Sequence, residues 1–390
     1  MKQKLTTTLL LALCVPIASA TTWYVNGVSG SNSNTCTSPT TACKTIKHAI
    51  SLAASGDSII VAAATYTENL TIGISLKVIG SGAATTIIDG GGTNTEATVV
   101  TISNTSAHVT LSNLTIRNGF SFGNSGGISN AGILTINKSR ISGNSARSSL
   151  INDTPGFGAG IQNRGTVTIN NSTVVGNTVS GAFGAGFGGG IGNRGTATLN
   201  NSTVSGNRAS ARGGGIDNQG SLTINDSTLS GNSSFLTGAR GGAIYDLGGL
   251  SINSSTISGN SAQYGGGIYI PVGGAVTLQN SIVANSPSGG NCSGTITSKG
   301  YNLSSDGTCS FNGTGDLNIT NPLLGPLQNN DGPTFTQALL PGSPAIDSGN
   351  PSGCTDGLGH LLKTDQRGKP RPDIEDTAGC DRGAFERQTD

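Results

Sequence analysis

The sequence predicts an all-β chain wound as a parallel β-helix, a solenoid of short strands stacked coil on coil. Two observations carry this prediction. The first is composition. Of 390 residues, 62 are Gly and only 11% are charged, and the Leu, Glu, Lys and Ala runs of helical proteins are missing. The second is a repeat. Ile128, Ile161, Ile191, Ile216, Ile244 and Ile268 each follow a Gly-rich stretch, and each leads through a strand-like segment to an Asn. Those residues are Asn144, Asn177, Asn207, Asn232, Asn260 and Asn285, sixteen residues on in the first five units and seventeen in the sixth. The return from each Asn to the next Ile varies in length. A constant unit alternating with a variable loop marks stacked coils whose insertions lie along one edge.

Each unit has its own apolar rows. Leu134, Val167, Ala197, Leu222 and Leu250 form one, and Ile136, Ile169, Leu199, Ile224 and Ile252 form a second. Residues two apart on a strand share a face, so these rows predict one buried face. Alternation breaks before a third row, Ile141, Val174, Val204, Leu229 and Ile257, so the chain turns there. Asn137, Asn170, Asn200, Asn225 and Asn253 form one polar row. Asn130, Asn163, Asn193 and Asn218, ending in Asp246, form another, and the Asn closing each unit form a third. Asn suits turns that need the left-handed conformation, and stacked amides can hydrogen-bond from coil to coil.

The strings GGGIGNRGTATLNNSTVSGN (188–207) and GGGIDNQGSLTINDSTLSGN (213–232) resemble the right-handed parallel β-helix of the pectin-lyase-like superfamily. The GG-A/G-I element is also similar to repeats of polymorphic outer-membrane proteins, whose Phe-x-x-Asn element these coils lack. Downstream, YNLSSDGTC (301–309), TDQRGKPRP (364–372) and CDRGAFE (380–386) resemble the choice-of-anchor Q domain of secreted bacterial β-helix proteins. That resemblance implies an exported bacterial protein whose C-terminal module usually precedes a sorting signal. None is recognised after Glu386, so release or non-covalent attachment is expected.

The ends have their own signals. Lys2 and Lys4, the apolar run from Leu5 to Ile17, and Ala18, Ser19 and Ala20 predict a secretory signal peptide cut after Ala20. No stretch is long and apolar enough for a membrane helix. Six cysteines remain: Cys36, Cys43, Cys292, Cys309, Cys354 and Cys380. An even number in an exported chain suggests disulfides. Six allow fifteen connectivities, and the clustering favours three sequential local pairs. Ile46, Ala49, Ile50 and Ala53 lie at helical spacing and predict a short helix covering the first coil. The expected organisation is a cap over 21–57, repeats over 58–315, and an irregular disulfide-stapled cap over 316–390. Asp365, Arg367, Arg371, Asp381 and Glu386 are read as a structural polar network in that last module.

Chemistry is sparse. The net charge of +1 argues against a nucleic-acid partner held by a basic surface. Hydrolysis of a glycan needs two suitably spaced carboxylates, and the coils from Ile128 to Asn285 hold few: Asp153, Asp217, Asp226 and Asp246. Asp217 and Asp246 are offset by one residue, so they are expected to point differently. The three His residues are scattered, and no catalytic or metal-ligating set is assigned. Arg212 and Arg240 precede Gly runs in adjacent coils, while Arg164 and Arg194 stack in the other turn. With Asp217 and Asp246 they can line a groove for an anionic glycan. Tyr245 and Tyr269 follow equivalent Ile positions and can stack on sugar rings. The expected function is therefore non-catalytic: a secreted or cell-surface adhesin binding a polysaccharide or a host or matrix surface, without a cofactor. The alternative is a polysaccharide lyase or hydrolase, with Ca²⁺ implied only for the lyase. A remoter one is ice binding by the rows Thr135, Thr168, Thr198, Thr223 and Ser251, and Thr173, Thr203, Thr228 and Thr256.

Overall fold

A computed structural model describes residues 20–94, 96–148, 154–181, 185–373 and 379–388. The expected signal peptide up to residue 19 and the loop residues 149–153, Asp153 among them, and 182–184 lie outside the described residues. The chain is a right-handed parallel β-helix. A first sheet of 11 strands runs from Thr22–Val25 to Ile296–Ser298. A second of ten runs from Ala64–Thr67 to Leu303–Ser304, and a third of nine from Leu70–Ile72 to Cys292–Ser293. One coil shows the path. The strand Ile191–Asn193 lies in the third sheet, Thr196–Asn200 in the first and Thr203–Ser205 in the second. The short strand Arg208–Ala209 then leads back to Ile216–Asn218, one coil up.

The apolar rows dictate this register. Leu134 pairs with Val167, Val167 with Ala197, Ala197 with Leu222 and Leu222 with Leu250, all buried. The row from Ile141 to Ile257 is buried on the second sheet. Because strand side chains alternate between faces, a slip of one residue would expose every member of a row. The anchor residues Ile128, Ile161, Ile191, Ile216, Ile244 and Ile268 stack inside the third sheet.

Polar ladders run parallel to the apolar ones. Asn130 donates to Asn163, Asn163 to Asn193, Asn193 to Asn218 and Asn218 to Asp246, at 2.6 to 2.8 Å. Asn144, Asn177, Asn207, Asn232 and Asn260 form a second ladder of the same direction. The row from Asn137 to Asn253 donates the opposite way, each amide to the coil before it. The left-handed turn falls one residue after that last row, at Lys138, Asn171, Asn201, Asp226, Ser254 and Asn280, where φ is 42 to 50°. A ladder of serines, Ser139, Ser172, Ser202, Ser227, Ser255 and Ser281, follows the turn. From Ser172 on, each hydroxyl accepts from the backbone N–H of the serine one coil earlier, and Ser139 accepts from that of Leu114. These bonds satisfy buried polar groups that would otherwise cost stability.

At the N-terminal end, the helix Ile46–Leu52 buries Ile46 and Ala49 and packs Ile50 and Ala53 against the core. Thr45 caps it, and the Glu68 carboxylate accepts from the free N–H groups of Ile46 and Lys47. The strand Thr22–Val25 precedes this helix and already belongs to the first sheet.

The C-terminal segment turns back along the second sheet. Its hairpin, Leu324–Gln328 with Thr336–Leu339, is antiparallel. Gln366 bonds Thr203 and Thr228, and the Thr256 hydroxyl accepts from the backbone of Ala384. Thr203, Thr228 and Thr256 are therefore buried, and that Thr row is not the open flat face considered for ice binding. Arg371 pairs with Glu386 and with Asp226 of the coils, at 2.8 and 2.6 Å. Asp365 holds Arg367 and the backbone of Glu386. Disulfides join Cys36 to Cys43, Cys292 to Cys309 and Cys354 to Cys380, the sequential pairing.

Candidate functional site

The candidate site is the outward face of the third sheet. Strand alternation points Ile161, Ile191, Ile216, Ile244 and Ile268 inward. The residue after each points outward, giving the column Gln162, Gly192, Asp217, Tyr245 and Tyr269. Tyr245 and Tyr269 stack with ring centroids 5.4 Å apart and planes within 7°. Pairing of consecutive coils at ~4.8 Å brings equal side chains to stacking distance.

Arginines flank this column. The residues four before the anchor isoleucines align as Phe157, Phe187, Arg212, Arg240 and Tyr264. Arg212 lies between two rings, 4.1 Å from Phe187 and 4.6 Å from Tyr245. Arg240 lies 5.4 Å from Tyr269. On the other flank Arg194 reaches over Phe157 at 4.1 Å and bonds Gln219. Gly192 makes room for this. A Cβ there would meet the Phe157 ring at 2.5 Å. A guanidinium on an aromatic face stays charged while losing part of its hydration. Burial, and then the neighbouring Arg164, hold Arg194 below its ordinary pKa.

The structure gathers Arg164, Arg194, Arg212, Arg240, Asp217, Tyr245 and Tyr269 along this sheet, but Tyr245 is buried, its ring covered by Tyr269 and Arg212, so of the two tyrosines only Tyr269 is open to a sugar ring. Asp217 and Asp246 do not line a groove there. Asp217 is buried, held by Arg212 at 2.6 Å and by Gln219 at 2.7 Å. Burial pushes its carboxyl up, against the pull of Arg212. Asp246 is one residue further, in the amide column, where it accepts from Asn218. Burial raises its carboxyl to about 6. The two acids belong to separate columns, as their offset implies. Asp226 lies away from this face, at the turn between the first and second sheets, where it pairs with Arg371. Among the described residues, Cys36, Cys43 and His48 bring ligand-type atoms within 4.8 Å. The two sulfurs are joined in a disulfide and have no thiolate to give a metal.

Phe157, Phe187, Gly192 and Gln219 complete the face and were not singled out from the sequence. Their signal is present: each falls at a fixed offset from an anchor isoleucine. Aligning Arg212 with Arg240 leads to Phe187 and Phe157 in the two preceding coils.

No known family model and no curated protein matches this chain. Among solved structures, it is similar to the pectate lyase Pel9A, with TM-score 0.48, 14% identity, and coverage of 95% of this chain and 98% of that one. It is also similar to a lacto-N-biosidase from Eubacterium ramulus, with TM-score 0.37, 11% identity, and coverage of 73% and 63%. A third similarity is to a pectin methylesterase, with TM-score 0.29, 13% identity, and coverage of 74% and 80%.

Proposed function

We propose that this protein is an exported polysaccharide-binding solenoid that holds an anionic glycan at a surface, without chemical turnover. One observation carries the reading: the arginine–aromatic strip along the third sheet. Four guanidiniums, Arg164, Arg194, Arg212 and Arg240, lie along it, and among the described residues only Arg212 has an ion pair, with Asp217. The strip crosses five coils in ~4.8 Å steps, and Tyr269 stands partly exposed at its end. Guanidiniums suit carboxylate and sulfate groups, and a tyrosine ring suits the flat face of a sugar.

The coil carboxylates support binding over turnover. A hydrolase needs two carboxylates open to the substrate, and a Ca²⁺-dependent lyase needs several around the metal. Asp217, Asp226 and Asp246 are buried and engaged in structural contacts. The three disulfides fit an oxidising compartment, and no helix among the described residues is long and apolar enough to cross a membrane.

The test is retention on immobilised acidic and neutral polysaccharides, with and without Ca²⁺. Retention on the acidic polymers is expected, weakening as salt rises, with no new reducing ends and no unsaturated uronate. Combining Arg240→Ala with Tyr269→Ala should release the protein. Product formation, above all if a chelator stops it, overturns the reading.

A further inference from the structure

A cleft of about 560 Å³ lies on the outward face of the second sheet, away from the strip. That is the size range of small-ligand sites. From Thr203 onward the C-terminal segment covers this sheet. Before it, Arg140, Thr173 and Val175 stay accessible and form the floor. Phe335 and Thr334 form one wall. Both are pinned by their polar atoms. The Phe335 carbonyl accepts from Thr203 and Gln366 at 2.7 and 3.1 Å, and Thr334 donates to the Asn201 carbonyl. Phe335 itself is 52% exposed and lines the cleft.

Lys138 and Arg140 line this cleft, and both are exposed. Neither side chain has a hydrogen bond or ion pair among the described residues, and no carboxylate lines the cleft. Both also depart from the protein's own repeat. From Thr115 to Thr256 the strand column holding Arg140 is otherwise Thr115, Thr173, Thr203, Thr228 and Thr256, with Ile87 and Ile282 beyond its two ends. The turn position holding Lys138 is Asn171, Asn201, Asp226 or Ser254 in the following coils, with the same left-handed backbone. A lysine has no advantage in that conformation, whereas Asn does. Folding therefore asks for neither cation. They occur together in one coil, at the place where a pinned phenyl ring overlooks an open floor.

We propose that this cleft binds a short acidic oligosaccharide. Arg140 and Lys138 hold its carboxylate or sulfate groups, and Phe335 packs against the apolar face of a sugar ring. The cleft is separate from the strip, and the inference does not rest on the strip's function.

Calorimetric titration with three trisaccharides tests it: trigalacturonate, a sulfated trisaccharide and an uncharged one. At least one acidic probe should bind, and the uncharged one should bind about tenfold more weakly or less. The better acidic probe identifies the charged group. Combining Lys138→Asn with Arg140→Thr should weaken binding by about tenfold or more. This variant restores the residues other coils use, so it should unfold at the native temperature. Phe335→Ala should weaken binding several-fold, while Arg240→Ala on the strip should leave it unchanged. Absence of binding by both acidic probes overturns the proposal. So does native-like binding by the double variant, or loss of trisaccharide binding in Arg240→Ala, which would place the ligand on the strip.

Discussion

Asn218 donates its side-chain amide to Oδ1 of Asp246 at 2.6 Å, and the first amide ladder stops there. The next coil offers Ile270 at the equivalent position, with no polar atom to continue it. The other oxygen, Oδ2, is buried without a partner among the described residues. In the four earlier coils an amide nitrogen is the second polar atom of this side chain. It donates to the carbonyl two residues on: Gly132, Gly165, Gly195 and Gly220.

Asp246→Asn should therefore stabilise the protein at neutral pH by about 1 kcal/mol, one restored net hydrogen bond. The pH dependence gives a second check. The folded carboxyl is raised to about 6 from its ordinary 3.8, so the folded state binds the proton more tightly. The stability linked to it is complete below about 4 and is lost as pH rises through about 6. Urea midpoints at pH 5 and 7.5 should show this loss in the native protein and a smaller loss in the variant. A destabilised variant would count against the ladder argument.

Arg371 is shared by two buried carboxyls, Asp226 and Glu386. One cation against two anions leaves one negative charge unbalanced. Burial raises Asp226 to about 7 and Glu386 to about 8, against the pull of Arg371. Among the described residues, Oε1 of Glu386 has no hydrogen-bond partner. The sign is the same as for Asp246: stability is lost as pH rises through the raised values. Glu386→Gln should flatten the fall in urea midpoint between pH 7 and about 9. Arg371→Met leaves both carboxyls without their cation and should cost roughly 3–5 kcal/mol.

Local repetition made the coils readable. The rows from Leu134 and Ile141, the anchor isoleucines and the amide columns all have fixed spacing, and one register satisfies them together. The sequential disulfides followed from clustering. The C-terminal segment was not readable in this way. Its contact from Gln366 to Thr228 spans 138 residues, and no periodic pattern links the two. The outward threonines at 203, 228 and 256 read as solvent-facing, because alternation tells inside from outside but not which outside is covered. The burial of Asp217 was hidden for a related reason. It depends on Arg212, which a Gly run delivers from outside the strand.

Gly192 tests whether the strip depends on close packing. Its missing side chain lets the Phe157 ring sit against the strand, with Arg194 stacked on that ring. Phe157 is buried, so it has little room to retreat. Gly192→Ala should cost roughly 1–3 kcal/mol through overpacking and should weaken retention on acidic polysaccharides. Gly206→Ala is not a suitable control, because its positive φ adds backbone strain of its own. Gly249→Ala is suitable: a Cβ there meets nothing within 4 Å, and stability and retention should both stay near native.

The Cys354–Cys380 disulfide closes the segment that carries Arg371 across the second sheet. Its separation of 26 residues corresponds to roughly 3–4 kcal/mol of loop-closure entropy in the unfolded chain. The folded segment is also held by the Arg371–Asp226 pair and by Gln366 on Thr203 and Thr228. Replacing both cysteines with Ser should therefore release the C-terminal segment before the coils unfold. The coils keep their own apolar rows and amide ladders, none of which includes a residue of the segment. Limited proteolysis of the variant should first cut within 350–380 and leave a resistant fragment containing the repeats. Two separate thermal transitions should replace the single native one. A single transition with simultaneous digestion of both parts would mean that the segment and the second sheet form one cooperative unit.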